Sequence, residues 1–270
     1  MIIINKNADF SGCGLGKITF KVSNEVNELL DSLYENLDFK YKLIFQQFVD
    51  DIGGLDGEIF NNLYRLVIPA FASNAKECYT DIVTKSVFAS GGGDYKKYAP
   101  FITVSRGAGA LFDGTQTDSK NILNFNSIHD FEGSLVRGFM TTSKLGNTPL
   151  ISNQHSPMYS HAWQISKTSS TYYNLSMAVP NGKVFLVNVL DNNILSFSDN
   201  KEYKETQDID LSLFKSSTTA TAYSILNSGK YPTIQVCMYF LGKGLTEAQA
   251  KKLSDAMWNF YNNLILTLSR

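Results

Sequence analysis

The 270-residue chain has few cysteines, almost no net charge and no long apolar run. Its three cysteines, Cys13, Cys78 and Cys237, lie far apart and form neither a zinc spacing nor a disulfide framework. They are predicted to be buried small hydrophobes in a reducing compartment. The net charge of −1 argues against binding to nucleic acid or to an anionic membrane. No apolar run approaches the roughly 20 residues that a membrane span needs, so no membrane insertion is expected.

A signal peptide is not predicted. The chain opens with the apolar run Met1-Ile2-Ile3-Ile4 and turns polar at Asn5. That run is too short, and it lacks the basic start and the small-residue cleavage site of a secretory leader. Targeting by such a peptide is therefore not expected.

A glycine-rich stretch, KNADFSGCGLGKI over residues 6–18, superficially suggests a phosphate-binding loop. A Walker-type loop with Gly16-Lys17 as its GK pair would need glycine at Ser11 and a hydroxyl residue at Ile18. The alternating run that follows predicts a strand, so no helix N-terminus would face a phosphate. We interpret the stretch as a turn between two N-terminal strands, with no nucleotide cofactor and no other cofactor implied.

The apolar spacing then changes from two-residue to helical periodicity. After strands in 1–22, stripes spaced by three and four residues predict a helical block over 23–85. Within it we expect helices near 26–37 and 41–52, a third over 58–66 that ends before Pro69, and a short fourth over 74–82.

Strand signals dominate the region 86–243. Short alternating runs such as KVFLVNVL and TIQVCMYFLG are separated by turn residues, and Asn181-Gly182 is typical of a hairpin between two strands. Segment 244–270 predicts a helix that opens with the capping box Thr246-x-x-Gln249. The fold class expected is α+β, a single unit in which a C-terminal helix packs on an antiparallel β-sandwich (a concanavalin-like jelly roll), with the helical block inserted after the first strands.

Chemical motifs are weak throughout. The histidines His129, His155 and His161 do not have a metal spacing, so neither a metal site nor a catalytic residue is predicted. Asp208 and Asp210 have the i, i+2 spacing that a retaining glycosidase could use on a strand, but their segment, which follows a charged run, is typical of a loop or a sheet edge. Asp191, Asp208 or Asp210 could instead bind calcium through loop oxygens; this alternative stays open.

Aromatic residues beside the predicted turns are candidates for stacking on sugars. The weak glycan-contact candidates are Tyr159 and Tyr203. Trp163, in SHAWQIS, alternates like a core residue and is predicted to pack inside.

Three stretches carry a family resemblance. The opening INKNADFSGCGLGKI resembles the N-terminus of virion proteins of phages and prophages of Bacteroides-type bacteria, including crAss-like phages. NNLYRLVIPAFASNAKECYTDIV over 61–83 resembles the helical block that follows in those proteins, with its L-x-x-P-x-x-A phrase. The ending GLTEAQAKKLSDAMWNFYNNL over 244–264 is similar to the closing helix of phage tail and fibre proteins that have a concanavalin-like (laminin-G-like) sandwich.

The resemblance implies a virion structural protein of tail, tail-fibre or head-fibre type and no catalytic residue. It implies a homo-oligomer, a trimer if the protein is a fibre, that contacts other virion proteins and attaches to the host surface. A carbohydrate-binding, lectin-like module is the alternative function, and a glycan-cleaving enzyme using Asp208 and Asp210 is the third.

Overall fold

In a computed structural model of the chain, the structure describes residues 21–87, 95–97, 99–112, 124–127, 134–141, 161–166, 172–177, 183–191, 193–206, 221–224 and 234–268. The described residues form mostly antiparallel β-sheet with a few helices, one of them C-terminal. The helices are α1 (Asn24–Leu33), α2 (Phe39–Ile52), the single turn α3 (Glu58–Asn61) and α4 (Glu247–Leu268). The strands are β1 (Leu63–Val67), β2 (Thr80–Asp81), β3 (Ser86–Val87), β4 (Ile102–Ser105), β5 (Gly109–Phe112), β6 (Asn124–Ser127), β7 (Leu135–Thr141), β8 (His161–Ser166), β9 (Tyr172–Met177), β10 (Val184–Leu190), β11 (Asn193–Ser198), β12 (Lys201–Thr206), β13 (Thr221–Ser224) and β14 (Ile234–Gly242).

The long helices form where their sequence signals lie. Ser23 caps α1 by accepting a hydrogen bond from the Val26 amide, and Gly53 ends α2 in the left-handed conformation at φ 104°. The Thr246 amide donates to the Gln249 side chain and the Gln249 amide donates to the Thr246 hydroxyl, so the predicted capping box at the start of α4 is confirmed. α2 and α4 run antiparallel, with Phe48 packed edge-on against Phe260 near their middle.

One ten-stranded sheet dominates the described residues, in the order β12-β11-β10-β7-β14-β1-β2-β3. β14 is its centre: β7 pairs along one edge of β14, while β1 and β5 share the other, and β4 pairs with β5. Two short pairs, β6–β13 and β8–β9, complete the described strands. Gly138 of β7 lies opposite Phe240 of β14, and any Cβ at this glycine would overlap the Phe240 ring.

The central strands of the large sheet are buried on both faces. One face, with Met140, Leu186 and Phe240 among its residues, joins the apolar core formed by α1, α2 and α4. The alternate residues, such as Phe139, Val187 and Tyr239, point to the opposite face and are buried as well. The centre of the sheet is therefore an inner layer and not a surface layer.

Two of the helix predictions within 23–85 are wrong in type or extent. The helix predicted over 58–66 ends at Asn61, and Leu63–Val67 is β1 because its backbone pairs with β14. The helix predicted over 74–82 is a 3₁₀ turn over Glu77–Tyr79 followed by β2. In both cases strand pairing overrides the local helical spacing: β1 pairs with the distant β14, and β2 pairs with β1 and β3.

The hairpin predicted at Asn181-Gly182 lies outside the described residues, as do the N-terminal strands and the glycine-rich stretch over 6–18. Of the described strands on either side of this dipeptide, β9 pairs with β8, and β10 pairs with β7 and β11. No helix among the described residues is long and apolar enough to cross a membrane.

Candidate functional site

Tyr203 lies on β12, the strand at one end of the large sheet. Its backbone is in register with Ser196 of β11, and its side chain is partly exposed. On the other face of the same strand, the Lys204 Nζ lies 3.2 Å from Glu202 and 2.5 Å from Glu247 at the start of α4. The hydrogen bond to the Glu247 carboxylate is the largest cause that raises the pKa of Lys204 above its ordinary value, and the bond to the Glu202 carboxylate is the second.

The second glycan-contact candidate, Tyr159, lies outside the described residues, so the structure does not bring it together with Tyr203. Asp208, Asp210, His129 and His155 also lie outside them. His161 begins β8, and Asp191 occupies the turn between β10 and β11 at φ 47°. Across the part of the chain that is described, no three His, Cys, Asp or Glu residues gather to hold a metal ion.

A buried carboxylate, Glu77, ties together the loops behind α1. Its Oε1 accepts a hydrogen bond from the Glu35 amide, at 2.8 Å, and its Oε2 accepts from the Ser73 amide and hydroxyl, at 2.6 and 3.0 Å. The Arg106 guanidinium lies 3.8 Å from it and donates to the carbonyls of Glu35 and Asn36 just after α1. A cation at this position complements the negative end of the helix dipole.

A second buried carboxylate, Asp81 of β2, fixes the junction of β1 and β2. Its Oδ1 accepts hydrogen bonds from the amides of Leu66 and Val83, at 3.0 and 3.1 Å. Its Oδ2 accepts from Arg65 and from the Thr84 hydroxyl, both at 2.8 Å. All four of these carboxylate oxygens in Glu77 and Asp81 are thus bonded to the chain's own donors, an arrangement that suits a brace better than a catalytic acid or base.

Between these carboxylates lie buried groups that ionise only with difficulty. Burial is the largest cause that raises the pKa of Tyr34, of Cys78 and of Tyr239 well above their ordinary values. Cys78 and Cys237 are buried, as predicted for these two cysteines. Because a thiolate is the reactive form, Cys78 is not an activated nucleophile.

An open groove of about 460 Å³ runs between α1 and the β2–β3 hairpin. Its floor is apolar, with Leu29 and Ile82 among its residues, and its rim carries Glu25, Glu28 and Lys85. A smaller pocket of about 250 Å³ shares Ser32 and Lys85 with it. Carboxylates outnumber cations around the groove, so it does not suit an anionic ligand such as a nucleotide.

Sequence reasoning missed the braces at Glu77 and Asp81, because both were placed in a helix that does not form. A usable signal is present: polar residues interrupt the otherwise apolar run between Leu66 and Ile82. The segment with Asp208 and Asp210, expected to be a loop or a sheet edge, lies outside the described residues beyond Thr206.

The sequence matches no protein-family model and none of the curated proteins. Among solved structures, the chain is similar to domain 4 of AbnA, a GH43 extracellular arabinanase from Geobacillus stearothermophilus, solved in complex with arabinotriose. The alignment has 15% identity and a TM-score of 0.28, and it covers 45% of this chain and 65% of that domain. A likeness at this level carries no argument about fold or function.

Proposed function

We propose that this chain is a structural component of a bacteriophage virion, of tail, tail-fibre or head-fibre type, that assembles with itself and with other virion proteins and contributes to host-surface attachment. The observation that carries the proposal is that the buried carboxylates of the described structure bond to other parts of the same chain. Glu77 and Asp81 are bonded to the chain's own donors, and Cys78 is buried with a raised pKa, so these groups serve the fold. The sequence resemblance at both ends of the chain supplies the virion context.

The proposal includes a β-sandwich of concanavalin-like type. Its support is the second buried face of the ten-stranded sheet, since apolar residues such as Phe139 and Val187 need a cover on the side opposite the helices. A sheet whose central strands are buried on both faces makes a rigid body, which suits an assembly component. No reaction and no cofactor are assigned to it.

The test is mass spectrometry and electron microscopy of purified particles from the source, together with light scattering on the isolated chain. We expect the chain in particles at a fixed copy number and a stable oligomer in solution, a trimer if it is a fibre. A chain that is absent from particles and monomeric at all concentrations would overturn the proposal.

A lectin-like module is the second candidate, favoured by the partly exposed ring of Tyr203 at the sheet edge. A glycan array of host capsules should then show binding that falls in Tyr203→Ala. No binding on that array counts against the module. The third candidate, a glycan-cleaving enzyme, predicts sugar release from host polysaccharide that Asp208→Asn or Asp210→Asn abolishes.

A further inference from the structure

The edge strand β12 has an unusual charge order. Lys201, Glu202 and Lys204 are exposed, and Tyr203 is partly exposed between them. Among the described strands, β12 pairs with β11 alone. Its outer edge therefore has no partner among the described strands, and its charges alternate in sign along an exposed stretch.

The two-residue turn before β12 fixes which backbone groups point outward. Asp199 and Asn200 both have positive φ, 47° and 65°, as in a type I′ hairpin, so Ser198 and Lys201 form the hydrogen-bonded pair that closes it. The 2.9 Å bond from the Asp199 amide to the Val184 carbonyl agrees with this alternation on β11. Lys201 and Tyr203 thus direct their backbone groups towards β11, and those of Glu202 and Lys204 point outward.

We propose that β12 pairs antiparallel with β12 of a second copy of this chain, across a two-fold axis at Tyr203. Only outward-facing residues can form hydrogen-bonded pairs between the two edges. Three such registers are centred on the exposed part of the strand: one pairs Glu202 with Lys204, one pairs Glu202 with its own copy, and one pairs Lys204 with its own copy. Pairing each with itself sets Glu202 against Glu202 or Lys204 against Lys204, and like charges directly opposite are unfavourable. The register that pairs Glu202 with Lys204 of the partner copy sets opposite charges against each other twice, by symmetry.

The same register satisfies the neighbouring positions. It sets Lys201 opposite position 205, which is Glu205 in the sequence, and it sets Tyr203 opposite Tyr203. Edge lysines usually discourage sheet-to-sheet association, but here each lysine meets a glutamate. Lys204 is also held in place beforehand by Glu202 and Glu247, which limits the side-chain entropy lost on pairing.

This contact goes beyond the proposed function. It makes a closed dimer through an isologous interface, whereas a fibre trimer needs a different, three-fold contact. A mass of two chains supports the edge contact whether or not the chain enters particles. A trimer whose mass the edge variants leave unchanged would overturn the edge contact and leave the virion proposal standing.

The decisive experiment is a charge exchange in the full chain, followed by sedimentation equilibrium at low salt, where exposed ion pairs are least screened. Glu202→Lys and Lys204→Glu should each weaken the dimer about tenfold or more, since each sets like charges opposite one another twice. Mixing the two single variants should restore dimers, because every such position then faces its opposite. The double variant, which exchanges both charges, should also dimerise although it loses the Lys204–Glu247 pair.

The mixing and double-variant measurements show whether Glu202 and Lys204 act between two copies or only within one chain. If the charges act only within the chain, mixing the single variants restores nothing and the double variant stays as weak as Lys204→Glu. That result, or a wild-type chain that is monomeric in the same measurement, would overturn the proposal.

A crosslink tests the register. Tyr203→Cys, in a Cys13→Ser background, should form a disulfide dimer, because residues in a non-hydrogen-bonded pair have Cα atoms about 4.5 Å apart. Lys201→Cys is the matched control: its two copies would lie roughly 14 Å apart along the strands and should not crosslink. Equal crosslinking of both variants, or none at Tyr203→Cys, would contradict the two-fold axis at Tyr203.

Discussion

At the residue scale, the buried carboxylates Glu77 and Asp81 connect separate segments of the chain through hydrogen bonds. Asp81 is fully buried and accepts from two backbone amides, a hydroxyl and a guanidinium. Since a buried carboxylate is tolerated only when its lone pairs are satisfied, the site depends on the charge as well as the shape of the side chain.

We therefore expect Asp81→Asn to lower the free energy of unfolding by about 3 kcal/mol, because the amide loses the charge and turns an NH₂ group towards a donor. Urea denaturation followed by circular dichroism measures it. Asp255→Asn is the matched control: it removes an exposed i, i+4 pair with Lys251 and should cost about 0.5 kcal/mol or less. Equal losses in the two variants would show that Asp81 is not a brace.

The buried phenols and thiol predict a loss of stability in alkali. In the unfolded chain, Cys78 ionises near 9.0, and Tyr34 and Tyr239 near 10.0, while burial raises the pKa of each in the folded chain. Above about pH 9 the folded state thus binds more protons than the unfolded state, and its stability falls as the pH rises; below that pH the contribution is fully present. Each group lowers the free energy of unfolding by about 1.4 kcal/mol for every pH unit above its ordinary pKa, up to its raised pKa in the folded chain.

Urea midpoints between pH 8 and pH 11 test this prediction. Tyr34→Phe removes one ionisable group and should show a shallower decline above pH 10 than the wild-type chain. Parallel curves for the two proteins would mean that Tyr34 does not remain protonated in the folded state.

At the element scale, the sequence predicted elements best where their signals are local. α1 begins after Ser23, α2 ends at Gly53, and α4 begins after Thr246. The capping chemistry of these three residues can be recognised in the sequence without knowledge of the fold. Strands such as β10 and β14 were also predicted, from alternation and β-branched residues. β1 was not, because residues 58–66 fit a helical stripe and only the partner strand β14 decides between the two structures.

The joint between β10 and α4 depends on one buried amide. The Asn188 side chain donates to the Leu245 carbonyl at 2.8 Å and accepts from the Leu245 amide at 2.7 Å. Asn188→Leu leaves both backbone groups unpaired and should cost about 2–4 kcal/mol. Thermal unfolding of this variant should therefore show a much lower Tm than Thr246→Ala, which loses a helix cap worth about 1 kcal/mol. If the two variants have the same Tm, the Asn188 hydrogen bonds contribute no more to stability than the Thr246 cap.

At the scale of the whole molecule, strand order was the least predictable feature. β14 pairs with β7, β5 and β1, which are remote from it in sequence, and these pairings are specified by long-range packing that no local pattern reports. The candidate site was likewise predictable only in its local features. Tyr203 could be named from its residue type, but its place at the edge of a charge-alternating strand depends on the topology.

Phe71 tests whether the described core unfolds as one unit. Its ring contacts Tyr34 of the α1 end, Phe45 of α2 and Phe260 of α4, with centroids 5.7, 6.2 and 5.8 Å away. Because one side chain joins three helices to the sheet, Phe71→Ala should cost about 3–5 kcal/mol and destabilise the helices and the sheet together.

In a Trp163→Phe background, Trp258 is the remaining tryptophan and its fluorescence reports on the surroundings of α4, while far-UV circular dichroism reports on the helices and the sheet together. Both urea transitions should shift by the same amount in Phe71→Ala and stay coincident. Phe39→Ala, at a side chain that is 39% exposed, is the control and should shift them far less. A fluorescence transition that separates from the circular dichroism transition would show that the region around α4 unfolds independently of the rest of the described structure, and the single core described above would then be two.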